Sequence, residues 1–103
     1  MHTNDLSPLQ EELIGLLQEE AAEIIQELSK LRRTGTRFCR NGRDVPTIDY
    51  VNQEITDFNM LLEIGTLIGL FNNLSYEKSD YRIEKKERLK QWTNIPHSLI
   101  ESI

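Results

Sequence analysis

Apolar residues recur at helical spacing through the first third of the chain. Between residues 9 and 31 they repeat every three, four or seven positions, which is the period of one face of an α-helix. Ser7-Pro8 is typical of a helix start, and Gly35 after basic residues is typical of a helix end. The pattern predicts a first helix that starts at Ser7-Pro8 and runs to about Arg33.

A second long helix is predicted from Thr47, acting as its cap, to about Asn72 or Asn73. Its second half, residues 60–71, is apolar almost all round and needs cover on several sides. One other long helix cannot supply that cover in so short a chain, so we expect a further helix and a second subunit to do so. Gly65 and Gly69, four residues apart, favour a close approach of another helix.

The rest of the chain is less regular. Residues 34–46 have no sustained period and indicate a loop, with or without a short helical turn. Residues 75–92 are highly charged and lack proline, which favours a third, solvent-exposed helix, and Trp92 is expected to anchor it. The residues after Pro96 are either a docked tail or a loose one.

These patterns predict an all-α fold, an antiparallel bundle of long helices completed by dimerisation. The 103 residues have room for a single domain, with a core of about 7–73 and a charged helix and tail over 74–103. The apolar stretches fall short of the roughly 20 residues that a membrane span requires, so no membrane partner is expected. The start of the chain lacks the pattern of a signal peptide and Cys39 has no second cysteine to pair with, so we expect a cytoplasmic protein.

Charge is distributed in blocks along the chain. The net charge of −5 argues against a nucleic-acid partner, because binding to phosphates needs a basic face. Residues 1–30 hold seven acids against Lys30, and residues 45–73 hold four acids and no base. Between them, residues 31–44 hold five arginines against Asp44. Two acidic helices therefore flank a basic connector.

Four acids lie where helix packing would place apolar side chains. On a helical wheel Glu54 and Asp57 fall on the apolar face of the second helix, and Glu20 and Glu23 border the apolar stripe of the first. If the two stripes pack together, four carboxylates converge and repel one another unless a cation neutralises them. Oxygen ligands alone favour Mg²⁺, with Mn²⁺ as a substitute, over Zn²⁺. The alternative is that all four are solvated acids on amphipathic helices.

The spacing of these acids resembles a family signature. Glu19-Glu20-Ala21-Ala22-Glu23 followed by Glu54-Ile55-Thr56-Asp57 is similar to the Glu-x-x-Glu … Glu-x-x-Asp signature of the MazG-like all-α nucleoside triphosphate pyrophosphohydrolases. The resemblance covers about residues 9–72 and implies a four-helix-bundle-like core built by a homodimer or a dimer of dimers. It also implies Mg²⁺-dependent cleavage of a nucleoside triphosphate between its α- and β-phosphates.

Roles for individual residues follow from this resemblance. It implies that Glu20, Glu23, Glu54 and Asp57 are the metal ligands, and Glu23 is our choice of general base. Basic residues in or beside the connector are candidates to bind the substrate phosphates, because the connector opens near one end of the carboxylate seam. They are Lys30, Arg33, Arg37, Arg40 and Arg43.

Two alternatives stay open. In the first, the basic residues are solvated loop charges with no role in phosphate binding. Since the arginines at 37, 40 and 43 lie in a loop, their replacement is expected to cost little stability. In the second, the whole chain is a non-catalytic helical dimerisation or adaptor module, in which residues 60–71 are simply an interface.

Overall fold

The computed structural model describes residues 4–40, 42–72 and 79–103, and every regular element in these ranges is an α-helix. The prediction of an all-α fold is thereby confirmed for the described ranges. Two compact units, Met1–Phe71 and Asn72–Ile103, divide the chain, and each is described by itself. No helix within these ranges is both long enough and apolar enough to cross a membrane.

Helix α1, Pro8–Thr34, begins and ends as predicted. The Ser7 hydroxyl accepts a hydrogen bond from the Gln10 amide nitrogen at 3.1 Å, while the Gln10 side chain accepts one from the Ser7 amide at 2.9 Å. This reciprocal pair satisfies two backbone donors that a helix start otherwise leaves unpaired. At the other end Gly35 adopts φ +81° and donates its N–H to Leu31 at 2.8 Å. The local sequence signals therefore determine both ends of α1.

Helix α2, Thr47–Leu67, starts differently from the prediction. Pro46 occupies the cap position, so the prediction of Thr47 as the cap is wrong. Thr47 is instead fully buried, and both its amide and its hydroxyl donate to the Phe38 carbonyl, at 2.9 and 3.3 Å. These bonds tie the connector to the start of α2.

The predicted end of α2 at Asn72 or Asn73 is also wrong, because the helix stops at Leu67. Gly69 takes φ +77°, a left-handed conformation that ends helices and that glycine adopts without strain. The amides of Leu70 and Phe71 then both donate to the Gly65 carbonyl, at 2.9 and 3.1 Å. The chain turns back here, so Phe71 packs on α2 instead of extending it.

The two long helices pack antiparallel in the first unit. A side chain near the start of α1, Leu13, lies beside Gly65 near the end of α2, and the connector at Phe38 meets the start of α2. Leu13, Leu17 and Val51 are buried between the helices. Gly65 is buried under the Phe71 ring, whereas Gly69 serves the turn, so only the first of the two glycines admits a close approach.

In the second unit α3 spans Asp80–Trp92 and α4 spans His97–Glu101. None of the residues of α3 is buried, which confirms the exposed third helix over 80–92. Trp92 is 75% exposed, so its predicted anchoring role is wrong. Ile100 of α4 is buried and Lys90 forms an ion pair with Glu101, so the tail is docked within its unit. The predicted start of the third helix and the predicted boundary at 73/74 lie outside the described residues.

Candidate metal centre

Three of the four predicted carboxylates meet between α1 and α2. Oxygen atoms of Glu20, Glu23 and Glu54 all lie within 4.8 Å of one another, a spacing at which one cation can be bound by all three. We call these residues the carboxylate triad. Glu20 and Glu23 share a face of α1 because they are three residues apart, and the antiparallel packing places Glu54 of α2 against them. The predicted convergence of these three acids is therefore present in the structure.

The triad carries uncompensated negative charge. Within the described part of the chain, no lysine or arginine forms an ion pair with any of its three members. A hydrogen bond shared with Glu20, burial, and the adjacent Glu23 together raise the pKa of Glu54 to about 7. Protons and metal cations both relieve such repulsion, so the triad is a candidate site for a cation.

One oxygen of the triad lacks any donor. The Oε2 atom of Glu20 is buried, and no described group donates a hydrogen bond to it. When Glu54 is protonated the two carboxyls can share a hydrogen bond, which accounts for the raised pKa of Glu54. When Glu54 is ionised, that relief disappears, and a buried acceptor without a donor is costly. An orphaned buried oxygen in an all-oxygen cluster fits a hard divalent cation.

Asp57, the fourth predicted ligand, lies outside the triad. It is exposed, so the expectation that packing would place it on a buried apolar face is wrong. Asp57 instead helps to line a shallow, open groove of about 310 Å³ on the exposed surface of α2, together with Asn52, Gln53 and Thr56. Asp57 is one helical turn from Glu54, whereas Asn52 and Thr56 point to the opposite side of α2, so the groove does not open onto the triad.

A fifth acid, Glu27, gathers the basic residues of the connector. Glu27 is 6% exposed and makes a bidentate pair with Arg43, at 3.1 and 3.2 Å. Arg40 and Lys30 approach the same carboxylate at 3.4 and 3.5 Å. The hydrogen bond from Arg43 lowers the pKa of Glu27 in spite of its burial. On its other side the Arg43 guanidinium lies 3.9 Å from the centre of the Tyr50 ring.

The predicted phosphate-binding residues therefore fall into two groups. Lys30, Arg40 and Arg43 are held by Glu27, while Arg33 and Arg37 are exposed and have no ion-pair partner in the described ranges. Arg43 pairs with the buried Glu27, so for this residue we expect a larger stability cost on replacement than the loop position alone suggests.

Sequence reasoning missed Glu27, although a signal was present. Glu27 lies seven residues after Glu20, so both occupy the same face of α1. An acid on the buried face of a helix, followed by an arginine-rich connector, indicates a buried ion pair. The partner was not predictable, because the connector has no period from which its path can be read.

Comparisons with known proteins give no further guide to this site: family models, curated proteins and solved structures were searched, and none of them matches the chain.

Proposed function

We propose that this protein is a Mg²⁺-dependent nucleoside triphosphate pyrophosphohydrolase that releases a nucleoside monophosphate and pyrophosphate. The observation that carries the proposal is the carboxylate triad, three acids within 4.8 Å of one another. The described residues supply no cation to it. The same acids carry the family resemblance of the Glu20-to-Asp57 signature, which also supports the proposal.

The residues present fit a hard divalent ion. Glu20, Glu23 and Glu54 offer only carboxylate oxygens, one of them buried and without a donor, and this ligand type suits Mg²⁺ or Mn²⁺. Asp57, exposed one turn after Glu54, is the fourth candidate ligand. When bound, such an ion neutralises triphosphate charge and stabilises the pyrophosphate leaving group.

The chain's own residues have separate tasks in this proposal. Glu23 is the exposed member of the triad, so it is the one that accepts a proton from the water attacking the α-phosphorus. Arg33 and Arg37 are exposed and available for phosphates, whereas Lys30, Arg40 and Arg43 must exchange Glu27 for phosphate to take part.

The proposed active form is a homodimer or a dimer of dimers. Met60, Ile64 and Leu67 form a stripe at helical spacing on α2, and they are 56%, 41% and 85% exposed. An apolar stripe of this kind is typical of a protein interface. The same stripe also suits a non-catalytic dimerisation or adaptor module, which is the second candidate function and needs no metal.

Pyrophosphate release separates the two candidates. The purified full chain is incubated with each common NTP and dNTP in Mg²⁺, and the expected result is metal-dependent release that EDTA stops. Glu54→Gln keeps the side-chain shape but removes a ligand charge, so turnover should fall at least about a hundredfold.

Asp49→Asn, an exposed acid on the same helix outside residues 60–71, is the matched control and should keep full activity. Asp57→Asn tests the fourth ligand in the same assay. The absence of pyrophosphate release with every nucleotide would favour the adaptor, and full activity in Glu54→Gln would refute the assigned centre.

A further inference from the structure

Positive and negative charges in the first unit are paired unequally. Glu27 is approached by Arg43, Arg40 and Lys30, although one carboxylate can neutralise only one of them. The carboxylate triad, whose member Glu23 lies four residues earlier on α1, has no ion-pair partner among the described residues. Charge pairing alone would favour moving one of the three cations to the triad, so specific contacts must keep them at Glu27.

Of the three cations at Glu27, Arg43 is the best placed to move into the carboxylate triad. Its guanidinium contacts both Glu27 of α1 and the Tyr50 ring of α2. Each of these residues lies four positions, about one helical turn, from a member of the triad, Glu23 on α1 and Glu54 on α2. An arginine that entered the triad would satisfy the buried Glu20 oxygen and would neutralise the charge that a metal needs. The protein would then block its own metal centre.

Two contacts keep the guanidinium where it is. Both oxygens of Glu27 accept hydrogen bonds from Arg43, at 3.1 and 3.2 Å, and this paired geometry fixes the plane of the guanidinium. The Tyr50 ring stacks on it at 3.9 Å, which adds a cation–π attraction. Because Glu27 is buried, its hold on Arg43 is less screened than that of an exposed carboxylate.

We infer that Glu27 is a positioning residue that holds Arg43 out of the carboxylate triad and so leaves the triad open to a divalent cation. The inference rests on the proposed function, since it assumes that the triad binds a metal. Glu27 acts through Arg43 and does not touch the metal or the substrate. Its removal is therefore expected to weaken metal binding only while Arg43 is present.

The test measures Mn²⁺ binding to the full chain without nucleotide, by electron paramagnetic resonance of the free ion. Glu27→Gln should raise the Kd for Mn²⁺ by roughly tenfold, the effect of about one unpaired charge near the site. Glu27→Gln/Arg43→Gln should return the Kd to within about twofold of the wild-type value, because the competing cation is gone. Arg43→Gln alone should bind Mn²⁺ at least as tightly as the wild type.

A charge-matched control separates this effect from the general field of the protein. Glu27→Gln/Arg37→Gln has the same net charge as the rescuing double variant, but it removes an exposed arginine that has no partner at Glu27. Its Kd should stay as weak as that of Glu27→Gln. Equal rescue by both double variants would overturn the inference in favour of a net-charge effect.

Other outcomes are equally decisive. An unchanged Kd in Glu27→Gln, or a Kd that is weakened alike in Glu27→Gln, Arg43→Gln and their double variant, would show that Glu27 merely holds the fold together. Circular dichroism checks the fold of each variant, and if Glu27→Gln does not fold, weaker binding by Arg43→Gln alone still overturns the inference. If the wild type itself binds no Mn²⁺, the proposed function fails, which is a different result from failure of the rescue.

Discussion

Glu54 lies beside two other acids, Glu20 and Glu23, and this crowding changes the pH at which its carboxyl ionises. In an unperturbed state its carboxyl titrates at 4.5, whereas in the folded protein its pKa is raised to about 7. Between these values the folded chain binds a proton that the unfolded chain has released. The free energy of unfolding therefore falls as pH rises through this window, and it levels off above it.

This shift predicts an inverse pH dependence for the metal-free protein. In EDTA, the Tm should fall as pH is raised from 5.5 to 8, because Glu54 must ionise beside Glu20 and Glu23. Glu27 does not oppose this trend, since its pKa is lowered and its contribution is lost only as pH falls below the normal glutamate range. Thermal unfolding at several pH values measures the slope.

Glu54→Gln is the control for the pH prediction. Its amide cannot ionise, so the slope should flatten and the Tm at pH 8 should hold or exceed that of the wild type. Adding Mn²⁺ to the wild type should also raise the Tm most at high pH, where the triad is ionised. An equal slope in the wild type and Glu54→Gln would contradict the crowding of the triad.

Arg43 and Arg37 are arginines of the same connector with opposite surroundings. Arg43→Ala leaves the buried carboxylate of Glu27 without its bidentate partner, so the Tm should fall. Arg37→Ala removes an exposed side chain without an ion-pair partner in the described ranges, and the Tm should not change. Differential scanning calorimetry at pH 7 compares the two, and equal Tm values would show that the Glu27 pair contributes nothing to stability.

At the scale of the helix, local sequence signals were sufficient to predict both ends of α1 but neither the cap nor the end of α2. Ser7 as the N-cap and Gly35 as the stop lie in the sequence next to the ends that they determine, and both were identified; the capping box with Gln10 was not. The end of α2 was missed because residues 60–71 are apolar almost all round, so periodicity shows no break at Leu67. The turn at Gly69 depends on Phe71 folding back on Gly65, which is a tertiary contact.

In the candidate site too, the features set by helix geometry were predictable and those set by tertiary contacts were not. The helical wheel brought Glu20, Glu23 and Glu54 to one seam, since helix geometry fixes the direction of side chains. It also placed Asp57 on that seam, but α1 does not cover that edge of α2 and Asp57 remains exposed. The Glu27–Arg43 pair depends on the path of an aperiodic connector, which no helical pattern encodes.

Gly65 and Gly15 provide a matched test of packing within the helices. A Cβ at Gly65 would overlap the Phe71 ring and lie 3.3 Å from Leu13, so Gly65→Ala forces the ring to move. Displacing a packed side chain costs about 1–3 kcal/mol, which outweighs the roughly 1 kcal/mol that alanine contributes over glycine in a helix. We expect a net loss of about 1 kcal/mol in the free energy of unfolding, measured by urea denaturation.

Gly15 of α1 is the control, because a Cβ there would meet nothing within 4 Å. Gly15→Ala should stabilise the protein by about 0.5–1 kcal/mol through helix propensity alone. Stabilisation of similar size at both positions would show that Phe71 does not pack on Gly65 as described.

At the scale of the whole molecule, the first unit buries little apolar surface for its length. Leu13, Leu17 and Val51 are its buried apolar side chains among the described residues, while the stripe of Met60, Ile64 and Leu67 faces outward. A two-helix unit with such a small core gains stability if a second copy covers the exposed stripe. The carboxylate triad lies within one chain, so a second copy is not needed to bring its three acids together.

Association of two copies is therefore expected, with α2 at or beside the interface. Sedimentation of the full chain at micromolar concentration should give at least a dimer. Leu67→Glu places a charge on the most exposed member of the stripe, and it should shift the protein to monomer because an unpaired charge at an interface must be desolvated. Ile83→Glu, on α3 and 60% exposed, is the control and should leave the association unchanged. A wild-type monomer, or equal effects of the two substitutions, would contradict an interface on this stripe.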